Sequence, residues 1–177
     1  MPSPKKLPDI NLLREVFRYE EAKLVWNVRP IEHFQTYQAW KAWNTKFSNK
    51  PSGCFGKKGY IEVRFSKRSY KAHRIIYALV HGDVLYDIDH VNGDCVDNRI
   101  ENLRVATATE NNCNQRLRSD NLSGIKGVYW HPEKNRWIAQ ISKNKKTTSK
   151  SFVSVNDAET WVTENRLKIH MDFANHG

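Results

Sequence analysis

Apolar residues at Ile10, Leu13, Val16 and Phe17 recur at helical spacing behind Asp9, which predicts a helix from Asp9 to Tyr19 with the aspartate as N-cap. A short strand from Leu24 to Val28 is expected next. Phe34, Tyr37, Trp40, Trp43 and Phe47 return to near-helical spacing between His33 and Phe47. Such an aromatic stripe reads first as core or docking surface, and second as a base-stacking platform. Asn49 to Gly59 is rich in Pro, Gly and Ser and reads as a loop. Tyr60 to Phe65 and Tyr70 to His73 predict a hairpin across Ser66 to Ser69, and a helix carrying Ile75, Ile76, Leu79 and Val80 then ends at Gly82.

The alternation from Tyr86 to Val91 predicts a strand that ends in an Asp-His pair. A polar turn, an Asn102-Leu103 step and a short polar helix holding Asn111 follow it. Leu117 to Gly124 lacks periodicity and reads as a linker. Beyond it, Ile125 to Trp130, Arg136 to Ile141 and Thr147 to Phe152 predict three short strands. A last helix is expected from Asn156, with Glu159 completing a capping box. Ala158, Trp161, Val162, Asn165 and Ile169 would share one of its faces. The pattern as a whole is α+β, without internal repeats.

Composition narrows this picture. In 177 residues a hydrophobic fraction of 39% is modest, while six Trp and seven Tyr supply large burying side chains. Small modules are therefore expected, not one thick core. No apolar run reaches transmembrane length and Met1 opens no signal peptide, so a cytoplasmic protein is expected. The three cysteines, Cys54, Cys95 and Cys113, form no Cys-x-x-Cys pair, which argues against a disulfide framework and a structural zinc.

Net charge is +10, which favours a polyanionic partner. Arg116 to Lys150 carries nine Lys/Arg against Asp120 and Glu133, and Gly56 to Arg74 carries seven against Glu62. These two stretches flank the Asp-His segment. Tyr129, Trp130 and Trp137 interleave with the first of them, which points to nucleic acid. Neither stretch makes an amphipathic helix, so a membrane partner is not expected.

The segment from Asp87 to Gln115 carries the chemistry. A phosphodiester is anionic with a poor leaving group, so its hydrolysis needs an activated water and a cation on the scissile phosphate. A hard divalent ion prefers oxygen ligands, which Asp89 and Asn111 supply. His90 is the candidate base, because an imidazole with a pKa near ~6.5 is mostly neutral at working pH. Adjacent strand residues point to opposite faces, so Asp89 and His90 converge only where a strand end twists. Asp87 is a secondary ligand candidate, and Asp94, after Gly93, reads as a loop former.

Asp89-His90, Asn102-Leu103 and Glu110-Asn111-Asn112 together resemble the HNH nuclease motif, in the zinc-free form of phage homing endonucleases. The resemblance implies two antiparallel strands and a helix around a single metal, the ββα-metal fold. It implies that Asp89 and Asn111 ligate the ion, that His90 activates water, and that Asn102 ties the long loop together. Asn111 stands where many members have His, which implies Mg²⁺ or Mn²⁺ and no zinc. Gly59-Tyr60, the hairpin, and Ala72-His73-Arg74 resemble the lead-in of the same phage family. His73 and Arg74 keep two readings, an approach to the site or DNA backbone and a packing role.

Leu122 to Trp130 and Asn135 to Ile141 resemble an Apetala2-type DNA-binding domain, a three-stranded sheet backed by a helix that enters the major groove. Alternation puts Trp137, Ala139 and Ile141 toward the helix and Arg136, Gln140 and Ser142 outward, with Lys146, Thr148 and Lys150 as expected neighbours on the third strand. The resemblance adds Tyr129 and His131 on the first strand. Arginines common there in that family are absent, so the lysines, Lys126 among them, are expected to hold phosphates. Arg74, Arg99 and Arg104 are further phosphate candidates.

The expectation is a metal-dependent, phage-type HNH homing endonuclease acting on double-stranded DNA in a host bacterial cytoplasm. Residues 1–52 would form a DNA-positioning module, 53–118 the nuclease and 119–177 the reader. A catalytically inactive DNA-binding protein that keeps the nuclease fold as scaffold is the alternative. A nuclease without sequence preference, such as a toxin, fits less well beside a dedicated reader. Target site, strand number cut and oligomeric state are open at this level.

Overall fold

A computed structural model describes residues 6–82, 85–114, 117, 119–143, 146–170 and 174. The basic stretch and linker expected after Gln115 therefore include Arg116, Arg118 and Lys145, which lie outside the described residues. The chain is mixed α and β with small sheets, and it divides into two compact units, Met1–Val105 and Ala106–Gly177.

In the first unit, helix α1 (Ile10–Val16) starts at Asp9, whose carboxylate accepts from Asn11 N–H at 2.8 Å. It stops three residues short of the expected Tyr19. Phe17–Glu20 forms strand β1 instead, paired antiparallel with β2 (Lys23–Trp26) across Glu21 and Ala22 at φ +47° and +62°. Asn27 explains the stop, because its carboxamide donates to the carbonyls of Arg14 and Glu15 at 3.0 and 3.1 Å. Those carbonyls would otherwise lack partners at the helix end. Helical spacing continues to Phe17, but pairing with distant residues decides the conformation.

A 3₁₀ turn (Ile31–His33) precedes α2 (Tyr37–Phe47), which Thr36 caps through its hydroxyl. Trp43 stacks edge-on to Trp26 at 5.0 Å and on Phe47 at 5.2 Å, and Trp40 Nε1 donates to the Arg29 carbonyl. Most of the aromatic stripe is packing, while Tyr37 stays exposed. The expected loop after Asn49 contains a short strand, β3 (Cys54–Phe55), beside β4 (Ile61–Phe65) and β5 (Arg68–Lys71) in one antiparallel sheet. Ser66 and Lys67 turn that hairpin with positive φ at both positions.

Helix α3 (Ala72–His81) begins directly after β5, so His73, expected in the hairpin, sits in its first turn. Its inner face buries Ala72, His73, Ile75, Ile76 and Ala78, and Gly82 ends it at φ +88°. Strands β6 (Asp87–His90) and β7 (Leu103–Ala106) form a separate two-stranded sheet. The core draws Phe17 and Trp26 together with Val63, Phe65, Ile75, Ile88 and Leu103, from both sides of residue 52. No described helix is long and apolar enough to cross a membrane.

In the second unit, α4 (Ala108–Cys113) is followed by β8 (Val128–His131), β9 (Arg136–Lys143) and β10 (Lys146–Phe152), in the order β10-β9-β8. Helix α5 (Val155–His170) packs on all three strands. It begins one residue before the expected Asn156, and Ser154, not Asn156, offers the first turn its hydroxyl oxygen. Its core is small: Val128, Ala139, Ile141, Ala158 and Val162. Ala139 and Ala158 are fully buried, and their small side chains let helix and sheet approach closely.

The register corrects one expectation. Lys146, Thr148 and Lys150 pair with Lys143, Ile141 and Ala139, so they share the helix-side face. Ser142 and Gln140 instead face Thr147 and Ser149. Side chains alternate along a strand, so pairing Lys143 with Lys146 fixes the parity of the whole third strand.

Gly127 has φ +79°, and a Cβ there would lie 2.6 Å from the Gln140 carbonyl oxygen. Gly127→Ala is expected to destabilise the second unit by about 2 kcal/mol. Amide exchange would report it as faster exchange across β8–β10 with α3 unchanged; unaltered exchange in β9 would refute the steric reading.

Candidate active site

Ile88 anchors β6 in the core, and the next two residues are withdrawn from water with it: Asp89 is 6% exposed and His90 3%. Each meets different partners. His90 Nε2–H donates to Asn98 Oδ1 at 3.1 Å. An amide oxygen only accepts, so this bond puts the proton on Nε2 and the lone pair on Nδ1. The His73 ring stands edge-on to His90 at 4.7 Å, and Tyr60 lies 6.0 Å away. Burial pushes the His90 pKa below its ordinary value, against the Asn98 bond and the charges of Asp89, Asp94 and Asp97, which raise it. The imidazole is therefore neutral at neutral pH.

His73 is held still lower, first by burial, then by the His90 ring wherever that ring gains a proton, and by the charges of Lys71 and Arg74. Its Nδ1 has no hydrogen-bond partner among the described residues. Its two readings merge, since it is core on one side and lies against His90 on the other. Tyr60 carries Lys71 Nζ over its ring at 3.7 Å. Its phenol is pushed up to about 12 by burial, by a bond with Cys95 and by the charges of Asp89 and Asp87.

Asp89 is held by Arg104 from β7. Nε and Nη2 both donate to Oδ2, at 3.1 and 3.0 Å, with the side chains 7% and 18% exposed. Arg104, a phosphate candidate by sequence, thus bonds the carboxylate expected to bind the metal. Arg99 likewise turns inward to its own loop: it donates to both oxygens of Asp97 at 2.8 and 2.7 Å. That guanidinium holds the Asp97 carboxyl well below the usual range.

Asn102 is the knot of the loop between the strands. Its Nδ2 donates to Asn92 Oδ1 at 3.0 Å and to the Asp97 carbonyl at 2.7 Å, while its Oδ1 accepts from Asn92 N–H at 3.0 Å. Its backbone carbonyl accepts from Val91 N–H, and the neighbouring Ile100 N–H donates to the Tyr19 hydroxyl. Asp94 accepts from Val96 N–H and so shapes the turn. Asp87 acts on Lys71 and Tyr60 electrostatically.

Asn111 lies on α4, which a reciprocal capping box of Thr107 and Glu110 starts. It belongs to the second unit. Arg74 is half-buried on α3. Lys126 is half-buried too: its ammonium donates to the Cys113 carbonyl at 3.0 Å, closing the end of α4, and burial lowers its pKa to about 8. Lys126, expected to hold a phosphate, thus spends a donor on the chain itself. Tyr129, His131, Arg136, Gln140 and Ser142 do share one sheet face, with Ile138 buried among them.

Among the described residues no three His, Cys, Asp or Glu side chains converge as a metal cluster. An oxygen donor such as the Asp89 carboxylate suits a hard ion that keeps waters and leans on substrate phosphate. Sequence reasoning missed Asn98, Tyr60 and Cys95 as neighbours of the site. Nothing in the spacing marks Asn98, since Asn is common in polar loops and only its burial at 4% sets it apart.

Residues 70–113 match the family model of HNH endonucleases, a stretch that includes Asp89, His90, Asn102 and Asn111. The chain is 28% identical to Protein 3.8 of Escherichia phage T7 over 113 residues, 61% of this chain and 93% of that one. It is 33% identical over 92 residues to an uncharacterized HNH endonuclease of Acanthamoeba polyphaga mimivirus, 50% of this chain and 46% of that protein. No solved structure matches. The family is one of phosphodiester hydrolases that use divalent metals, and the match supports a nuclease with a DNA substrate.

Two outcomes test this geometry. Asn102→Ala removes both donors and the acceptor from the loop knot and is expected to lose about 2–3 kcal/mol in urea unfolding; a loss under about 0.5 kcal/mol would show the loop holds without it. His73 has a folded pKa below its unfolded value, so its contribution to stability is present above about pH 6.5 and lost as pH falls through the folded value. Urea midpoints should fall between pH 7.5 and 5, and His73→Phe should flatten that fall.

Proposed function

We propose that the chain is a metal-dependent HNH endonuclease of the phage homing kind, acting on double-stranded DNA in a host bacterial cytoplasm. The observation that carries this reading is His90, buried and bonded through Nε2 to Asn98, beside the buried Asp89 that Arg104 holds.

In the proposed reaction His90 Nδ1 takes the proton of a water as that water attacks phosphorus. Asn98 holds the ring so that Nδ1 keeps its direction and its lone pair. His73 and Tyr60 wall the imidazole from bulk water, which keeps it neutral and ready to accept. A divalent ion, Mg²⁺ or Mn²⁺, would be held by Asp89 and, by its place in the ordered motif, Asn111; it supplies positive charge to the scissile phosphate and the departing 3′ oxygen. Asn102 acts on the chemistry only through the loop that carries Asn98.

The three-stranded sheet backed by α5 supports the reading of residues 119–177 as an Apetala2-type DNA reader. Tyr129, His131, Arg136, Gln140 and Ser142 offer donors, acceptors and one aromatic ring on the face away from the helix, joined by Thr147 and Ser149. Arg136 brings a permanent positive charge to that face, while Lys146 and Lys150 stand on the other. Such a face is suited to reading base edges more than to gathering phosphates.

Supercoiled plasmid carrying candidate sites should be nicked or cut with Mg²⁺ and left intact with EDTA. His90→Ala should cut at least about 100-fold more slowly. Equal rates would remove His90 from its role. Tight binding of DNA that is never cut would favour the scaffold reading, with the nuclease fold kept and its activity lost.

A further inference from the structure

We infer that Arg104 makes the binding of a divalent ion at Asp89 depend on DNA: the guanidinium holds the carboxylate while no phosphate is present and exchanges it for a phosphodiester oxygen when the duplex arrives. This rests on the proposed nuclease reading, and three observations carry it beyond that reading.

Asp89 is already compensated. Its side chain is 7% exposed, and two N–H groups of Arg104 converge on Oδ2. A buried carboxylate requires a counter-charge, and a guanidinium is a good one, so an incoming ion displaces or opposes an existing partner. The second observation is that the acids near Asp89 do not converge with it. No three His, Cys, Asp or Glu side chains gather to hold an ion among the described residues, nearby Asp97 is engaged with Arg99, and Asp94 accepts from Val96 N–H. A divalent ion beside a positive charge and without converging carboxylates binds weakly unless another anion joins it.

The third is the identity of the cation. An arginine fork fits a phosphate as well as it fits a carboxylate, with two parallel donors. Arg104 sits on β7, paired with the strand that holds Asp89 and His90, so a phosphodiester presented to His90 comes within its reach. Moving the guanidinium from Asp89 to phosphate then releases the carboxylate to the ion and adds the negative charge that the ion needs. Arg104 is thereby a positioning residue for Asp89, and the coupling is reciprocal: DNA tightens the ion and the ion tightens DNA.

The test measures Mn²⁺ binding directly, by the loss of the free-ion resonance signal, on the full chain with and without excess mixed-sequence duplex. Wild type alone should bind Mn²⁺ weakly, and DNA should tighten binding at least about tenfold. Arg104→Gln without DNA should bind about tenfold more tightly than wild type, with DNA adding less than about threefold. Asp89→Asn in the Arg104→Gln background should abolish that gain, which locates the ion. Arg104→Lys keeps the charge and should remain as weak as wild type without DNA. Equal Mn²⁺ affinity of wild type with and without DNA overturns the inference whatever the variants do. So does an Arg104→Gln protein that folds and binds Mn²⁺ no more tightly than wild type. Plasmid cutting alongside either result would leave the nuclease reading standing, whereas absence of both cutting and Mn²⁺ binding in the presence of DNA overturns both.

Discussion

Two ionisable side chains, Asp89 and His90, are consecutive in a strand and both nearly out of water. Desolvation penalises the charged form of each, and the surroundings resolve the penalty in opposite ways. Asp89 is met by the guanidinium of Arg104, which reaches across from the paired strand. His90 gives its charge up, because burial outweighs the acids near it and an amide oxygen receives its one proton. A guanidinium-held carboxylate and a neutral imidazole side by side are the pair that the proposed hydrolysis uses.

The loop between β6 and β7 serves it with polar contacts. Asn102 binds Asn92 and the Asp97 backbone, Asp97 binds Arg99, and Asn98 is thereby delivered to His90. Asn98 and Asn102 are the buried members of that network, and a buried polar group left without a partner costs about as much as the bond it lost. Tyr19, far away in sequence, receives Ile100 N–H and fastens the loop to the first hairpin. The aromatic cluster of Phe17, Trp26, Trp43 and Phe65 gives that hairpin a rigid base. Packing around Phe17 and Tyr19 therefore bears on the position of the His90 imidazole.

The second unit shows a different balance. Its apolar core is small, and three of its cations spend donors on backbone carbonyls: half-buried Lys126 on Cys113, buried Arg166 on Lys126, and exposed Lys143 on Ile169. Positive charge abundant in the sequence is thus partly structural. The outward sheet face is left with hydroxyls, an amide, an imidazole and one guanidinium, a surface of hydrogen-bonding groups more than of charge.

Composition and order of residues by themselves determined much of this. Helical spacing marked α2, α3 and α5, alternation marked β4 and β6 and the three C-terminal strands, and the ordered Asp-His, Asn and Asn positions singled out the segment that the nuclease family matches. These signals are local, carried by residues within a turn or two of one another. Tertiary structure decided the rest. It ended α1 at Val16, because Asn27 and the β1–β2 pairing lie beyond any local window. It turned Lys146, Thr148 and Lys150 to the helix side, because one residue of register inverts a whole strand. It gave Asp89 to Arg104 and His90 to Asn98, because a polar side chain carries no mark of its future burial, and only the packed chain shows which charge it must answer.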